Sequence, residues 1–118
     1  MNFDNNVPIY IQLVEELKIS IISGTIGPNE KLLSVRDLAL QKRVNPNTMQ
    51  KALTELENMK LIYTERTNGK FVTNDTKLIN EFKQKYADDL AFNYAKNMKS
   101  LGYTMNEIIE IIKESEKK

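Results

Sequence analysis

Residues 31–53 read KLLSVRDLALQKRVNPNTMQKAL and contain the start signals of two short helices. Ser34, with Asp37 three residues later, is a typical helix N-cap pattern. Asn45 followed by Pro46 is a second start signal, because asparagine caps a helix and proline suits its first position. Only a tight turn separates the two predicted helices, which is the spacing of a helix-turn-helix.

Both predicted helices have one apolar face. The first covers residues 35–42 and the second residues 45–57. The apolar face of the second consists of Met49, Ala52, Leu53, Leu56 and Met59. Its opposite face is polar and consists of Asn47, Gln50, Lys51 and Thr54, with Thr48 at its edge. A recognition helix needs such an arrangement, with one side in the core and the other free for a ligand.

A β-hairpin is predicted next. Residues 61–66 and 70–73 are rich in β-branched and aromatic side chains, which favour strands. Between them, Asn68-Gly69 is a strong hairpin turn signal. A hairpin directly after a helix-turn-helix corresponds to the wing of a winged helix.

Further helices are predicted on both sides of this segment. A helix over residues 8–24 is predicted by an apolar face whose members are spaced three and four apart, namely Ile9, Tyr10, Leu13, Val14, Leu17 and Ile21. A long helix begins at about residue 76 and ends at Gly102, and Thr104 with Glu107 forms a capping-box pattern before a last helix. The predicted fold is α+β and mostly helical. It comprises a winged helix-turn-helix domain over residues 1–75 and a two-helix dimerisation tail over residues 76–118.

Composition restricts the classes of function. The 118 residues include neither cysteine nor histidine, so disulfides, the commonest zinc ligand and the usual catalytic triads are excluded. No apolar run approaches the roughly 20 residues of a membrane helix, and no signal-peptide pattern begins the chain. We therefore expect a cytoplasmic protein that is not an enzyme, with no cofactor, no metal site and no membrane partner.

The net charge of +1 conceals local excesses of positive charge. Residues 31–51 contain five basic residues against Asp37 alone, and residues 60–70 contain three against Glu65 alone. Attraction to phosphate acts over a Debye length of roughly 8–10 Å, so the local excess matters more than the total. All three arginines of the chain lie in these two segments.

Four motifs together resemble the N-terminal DNA-binding domain of the GntR family of bacterial transcription regulators. They are PIYIQ at 8–12, ISG at 22–24, KLLSVRDLA at 31–39 and VNPNTMQKA at 44–52. The resemblance covers about residues 7–73. The NPNT start of the third helix and the tail of only about 45 residues resemble the short-tailed YtrA-type subgroup.

The resemblance implies a function and a set of contacts. Arg36 matches the family's DNA-contacting arginine, and Asn45, Asn47 and Thr48 match positions that meet bases and phosphates. Gly69 matches the glycine at the wing tip that approaches the minor groove. The implied protein is a repressor that binds an inverted-repeat operator in double-stranded DNA as a homodimer. In this subgroup the regulated genes tend to encode ABC transporters.

Side-chain chemistry supports the same contacts. Arg36 can pair with guanine and Gln50 with adenine, while lysines such as Lys51 suit phosphates. The alternative for Arg36 is a surface ion pair with Asp37 or Glu55. The complete predicted DNA-binding set is Ser34, Arg36, Asn45, Asn47, Thr48, Gln50, Lys51, Arg66, Gly69 and Lys70.

The tail contains more apolar surface than a three-helix domain can cover. Exposed apolar area of this kind usually marks an interface, so we expect it to form a homodimer. The predicted dimerisation residues are Phe82, Tyr86, Leu90, Tyr94, Ile108 and Ile112. Whether a small-molecule effector binds stays open. The alternative function is a winged-helix adaptor that binds another protein without specific DNA binding.

Overall fold

In a computed structural model, residues 5–117 of the protein are described, and they contain five helices and one two-stranded sheet. In chain order these are α1 (Ile9–Ile22), α2 (Val35–Lys42), α3 (Pro46–Asn58), β1 (Ile62–Glu65), β2 (Gly69–Val72), α4 (Thr76–Ser100) and α5 (Met105–Ser115). The predicted fold, a winged helix-turn-helix followed by two helices, is confirmed.

The predicted caps fix where α2 and α3 begin. The Ser34 hydroxyl accepts a hydrogen bond from the Asp37 backbone N–H at 3.1 Å. The Asn45 side-chain oxygen accepts one from the Asn47 N–H at 2.7 Å, and Pro46 occupies the first helical position. Each cap satisfies a backbone donor that the first turn of a helix leaves unpaired.

The turn between α2 and α3 is tight although it contains no glycine. Arg43 has a left-handed backbone, with φ 57°. Its N–H donates to the Leu40 carbonyl at 3.2 Å, and the Val44 N–H donates to the Ala39 carbonyl at 3.0 Å. These two bonds form a Schellman motif, which ends α2 and sends the chain directly into α3.

The core lies between the first three helices and the sheet. Both α1 and α2 pack against α3, and β1 packs against α3 as well. Its side chains follow the predicted periodicities, and the buried hydrophobic residues of these elements are Leu13, Val14, Leu17, Ile21, Ile22, Leu32, Leu38, Ala39, Met49, Ala52, Leu53, Leu56, Leu61, Ile62 and Val72. Ile9, which the sequence also assigned to the apolar face of α1, is 43% exposed.

The wing differs in detail from the prediction. β1 and β2 are antiparallel, with Ile62 opposite Val72 and Glu65 opposite Gly69. The loop between them has three residues, so Arg66 lies in this loop and not on a strand. In addition, residues 29–32 run along β2, with a bridge between Lys31 and Phe71. The predicted two-stranded ribbon therefore has a third, short neighbour, which connects the wing to the start of α2.

The described chain divides into two compact units, and the division falls within α4. The winged unit extends to Phe82, and the tail unit begins at Lys83. The first turns of α4 belong to the winged unit, where Ile79 is buried. No helix within residues 5–117 has the length and apolar character that crossing a membrane requires.

Candidate nucleic-acid interface

The start of α2 and the wing border one cleft of about 670 Å³. Four of the predicted DNA-binding residues line it, namely Ser34, Arg66, Gly69 and Lys70. Lys31 lines the same cleft, as do the acidic Asp37 and Glu65, so cationic and anionic side chains both border a space next to a capped helix N-terminus. Backbone donors and cations around an open cleft can hold a phosphate group.

A second, shallower cleft of about 460 Å³ lies at the start of α3. Asn47, Thr48 and Lys51 line it together with Ile9 and Tyr10 from α1. The Lys51 ammonium lies 3.9 Å from the centre of the Tyr10 ring, in a cation–π contact. This contact orients Lys51 beside the first turn of α3.

Within residues 5–117, the three arginines form no ion pair. Arg36, Arg43 and Arg66 are all exposed. None of them pairs with an acidic side chain among residues 5–117, so the alternative pairing of Arg36 with Asp37 or Glu55 does not form. An unpaired surface arginine remains fully available for bidentate contact with phosphate or a guanine edge.

Two lysines of the basic segments, in contrast, are neutralised by the fold. Lys42 pairs with Glu16 of α1, and Lys70 pairs with Glu57 of α3. The pKa of Glu57 lies below its ordinary value because Lys70 donates a hydrogen bond to its carboxylate and the Thr64 hydroxyl donates another. The positive excess counted along the sequence is therefore concentrated on the arginines and the remaining lysines.

The N-terminus of α3 is partly satisfied within the chain. Because the Asn45 side chain accepts the Asn47 N–H, this donor is not free to bind a phosphate. Gln50 lies on the exposed side of α3, and its amide donates to the Thr54 hydroxyl at 3.3 Å. The side chains of Gln50 and Thr54 are therefore both exposed on α3, the predicted recognition helix.

Sequence reasoning missed three participants in this surface. Tyr10 was assigned to the apolar face of α1, and Glu57 and Thr64 were assigned no role. Their partners, Lys51 and Lys70, are distant in the sequence, so no periodicity could reveal the contacts.

The predicted dimerisation residues differ in exposure. Leu90, Tyr94 and Ile112 are exposed, Phe82 and Tyr86 are half-buried, and Ile108 is buried within the single chain. Other apolar residues of α4, α5 and the segment between them are also exposed, namely Phe92, Leu101, Tyr103, Met105 and Ile109. An interface on the tail would draw on these exposed residues and not on Ile108.

Comparisons with known proteins agree with this geometry. Residues 9–72 match the family model described as bacterial regulatory proteins, gntR family. An uncharacterised HTH-type transcriptional regulator, YhcF of Bacillus subtilis, is 34% identical over 111 residues, which are 94% of this chain and 92% of YhcF. The HTH-type transcriptional repressor YtrA of the same organism is 38% identical over 73 residues, 62% of this chain and 56% of YtrA.

Solved structures support the same relationship. A GntR family transcriptional regulator from Listeria monocytogenes has a TM-score of 0.89 and 40% identity, covering 95% of this chain and 98% of that one. The DNA-binding domain of AraR in complex with its operator ORX1 has a TM-score of 0.55 and 33% identity, covering 57% of this chain and 81% of that one. The family model and the YhcF match each span more than half of the residues, and the chain belongs to the GntR family of bacterial transcriptional regulators, with similarity to YtrA and YhcF.

Proposed function

We propose that the protein is a repressor that binds an inverted-repeat operator as a homodimer. The observation that carries this proposal is the set of exposed, unpaired arginines around the start of α2, the turn before α3 and the wing tip. YtrA is named a repressor, and AraR has been solved on its operator. Repression would follow from occlusion of the polymerase.

In the proposed docking mode, α3 enters the major groove. Gln50 and Arg36 then read base edges, while Asn45, Asn47, Thr48 and Lys51 approach the backbone and bases at the start of the helix. The wing, with Arg66 in its loop and Gly69 beside it, reaches the neighbouring minor groove. Ser34 and Lys31 lie where a phosphate would enter the cleft of α2 and the wing. Lys70 stands apart, because Glu57 already neutralises it.

A second copy of the chain is the proposed partner of the tail. Within the described residues from Lys83 onward, Ile108 is the only buried hydrophobic residue, and so small a core usually needs a metal, a disulfide or a partner chain to be stable. Cysteine is absent from the sequence. Its exposed apolar side chains supply the surface that pairing would bury, and two-fold pairing matches the symmetry of an inverted repeat.

DNA binding is tested by fluorescence anisotropy with a duplex that the wild-type protein enriches from a random library. A scrambled duplex and two salt concentrations complete the design. We expect preference for the enriched duplex, with affinity falling steeply as salt rises. Arg36→Ala should lower the affinity for the enriched duplex roughly 5- to 150-fold. Lys99→Ala, which removes one charge from the tail, serves as the matched control.

An absence of sequence preference together with salt-insensitive binding to a protein would favour the adaptor alternative. Dimerisation is tested separately by sedimentation of the full chain and of residues 1–82, which retain the buried Ile79. The full chain should sediment as a dimer and the shortened chain as a monomer. A shortened chain that remains dimeric contradicts the role of the tail.

Three narrower points follow from the proposal. A protein that binds operator DNA acts in the bacterial cytoplasm, where that DNA is. Regulation of ABC transporter genes rests on the resemblance to the YtrA-type subgroup. No effector is assigned.

A further inference from the structure

A hydrogen-bonded cluster joins the recognition helix to both strands of the wing. The Glu57 carboxylate, near the end of α3, accepts a hydrogen bond from the Thr64 hydroxyl of β1 at 2.5 Å. The same carboxylate oxygen accepts one from the Lys70 ammonium of β2. Lys70 also donates to the Thr64 hydroxyl at 2.9 Å, which closes the cluster.

The position of the cluster determines what it holds in place. Thr64 and Lys70 are directly opposite each other in the register of the wing. One carboxylate of α3 is therefore bonded to both members of a single cross-strand pair. These bonds add a polar link to the packing of β1 on α3 and to the backbone bonds between β2 and residues 29–32, and they act on both strands of the hairpin at once.

Lys70 is also unlike the other basic residues near the wing. Its side chain is only 16% exposed, and that of Glu57 is 33% exposed. Lys31 and Arg66, by contrast, are exposed. To reach a phosphate, Lys70 would have to break its bonds to Glu57 and Thr64.

We propose that Glu57 is a positioning residue that fixes the wing to α3 through Thr64 and Lys70, and thereby helps set operator specificity. Lys70 then acts as a strut within the protein and not as a phosphate contact. The inference rests on the proposed DNA-binding function. A wing held at one angle to α3 meets the minor groove only where the groove has the matching width and spacing, which vary with sequence.

The main test measures the ratio of affinities for the enriched duplex and for its scrambled version, using the full chain. Glu57→Gln should lower this ratio about tenfold, because the neutral amide leaves the partly buried Lys70 ammonium without its counter-charge and weakens the cluster. Affinity for the scrambled duplex should not fall, because a negative charge has been removed. A loss of folded protein would lower both affinities equally and leave the ratio unchanged, so this readout separates positioning from stability.

Two matched variants test the hydroxyl of the cluster. Thr64→Val removes the hydroxyl while keeping the side-chain shape, and we expect it to lower the ratio as Glu57→Gln does. Thr64→Ser keeps the hydroxyl and should retain the wild-type ratio. Equal ratios for the valine and serine variants would contradict a role for the hydrogen bond.

The role of Lys70 is decided by the slope of log affinity against log salt. Lys70→Gln should lower the affinity ratio but leave this slope at the wild-type value. Arg66→Gln, which removes a proposed DNA contact, should reduce the magnitude of the slope by about 1. The double variant Glu57→Gln with Lys70→Gln should lower the ratio no further than either single variant, because both changes break one network.

Two outcomes overturn the inference while leaving the proposed function intact. One is a Lys70→Gln variant whose slope of log affinity against log salt is smaller in magnitude by about 1 than that of the wild type, which would make Lys70 a phosphate contact. The other is a Glu57→Gln variant that discriminates between the duplexes as well as the wild type does. If the wild-type protein itself enriches no duplex, the proposed function fails, and the role of Glu57 fails with it.

Discussion

The winged unit and the tail unit are stabilised in different ways. All buried hydrophobic residues of the described chain except Ile108 lie before residue 83. The winged unit thus has a core to which helices and sheet contribute. The tail unit consists of the rest of α4 and the capped helix α5, and it leaves most of its large apolar side chains exposed.

This difference shows where each unit obtains its stability. A core that many elements share makes the winged unit fold cooperatively from its own residues. The tail relies on local helix signals, and two helices with little buried area are marginal in water. The stability of the tail should therefore depend on protein concentration, whereas that of the winged unit should not.

The largest effect is expected from a substitution in the proposed tail interface. Ile109 in α5 and Ile19 in α1 are each 42% exposed, so they form a matched pair. Ile109→Glu should produce monomers and weaken operator binding roughly 100-fold or more, since each half-site then loses the effective concentration of its partner. Ile19→Glu should leave a dimer with near wild-type affinity. Sedimentation measures the oligomeric state of both variants, and fluorescence anisotropy measures their affinity for the operator. If the two variants behaved alike, the tail would not differ from the winged unit in its need for a partner.

The next effect concerns the core of the winged unit. Leu53 is fully buried, whereas Leu101 in the tail is 72% exposed. Leu53→Ala should lower the free energy of unfolding by about 2–5 kcal/mol, because it leaves a cavity between α3 and its neighbours. Leu101→Ala should change it by less than about 0.5 kcal/mol in the monomeric Ile109→Glu background. Urea denaturation followed by circular dichroism measures both, and a larger loss at Leu101 would place the core elsewhere.

The elements of the fold could be predicted because their signals are local. Ser34, Asn45 and Thr104 each cap a helix within three residues, so their roles are visible in a short window of sequence. The core positions of α3 follow a helical period for the same reason. The family motifs also predicted which residues form the binding surface, since they fix the order of helix, turn, helix and wing.

What could not be predicted depends on contacts between distant positions. Glu57 and Lys70 are 13 residues apart, and Lys42 and Glu16 are 26 apart, so a charge count along the chain treats them as unrelated. Lys31 forms a bridge with Phe71 that joins the wing to the start of α2. The wing loop was misplaced by one residue, since the strand patterns left residues 67–69 for the loop, whereas it spans residues 66–68 and Gly69 already begins β2.

A smaller effect is expected where α3 ends. Lys60 has a left-handed backbone with φ 65°, and the Leu61 N–H bonds to the Leu56 carbonyl in a second Schellman motif. A side chain is strained in this conformation, so Lys60→Gly should stabilise the winged unit by about 1 kcal/mol. Lys60→Ala, which removes the same charge but keeps Cβ, should not be stabilising. Thermal unfolding of the two variants distinguishes relief of strain from loss of charge.

The smallest effect concerns pH and the local stabilisation of the tail. The pKa of Glu107 lies below its ordinary value because the Thr104 backbone N–H donates to its carboxylate and the Thr104 side chain adds to this. A lowered folded-state pKa means that the capping box stabilises α5 fully above pH 4.5, the ordinary value, and less as pH falls through the folded pKa. The start of α5 should therefore fray under acid.

This fraying is measured by following the Thr104 and Glu107 amide resonances by NMR as pH is lowered. Glu107→Gln should abolish the pH dependence of these resonances, because glutamine keeps the capping bond without titrating in this range. Glu110→Gln, on the same helix but outside the capping box, should leave it as in the wild type. If the tail had a core of its own, the start of α5 would not fray under acid, since packing would keep the helix ordered when the cap is lost.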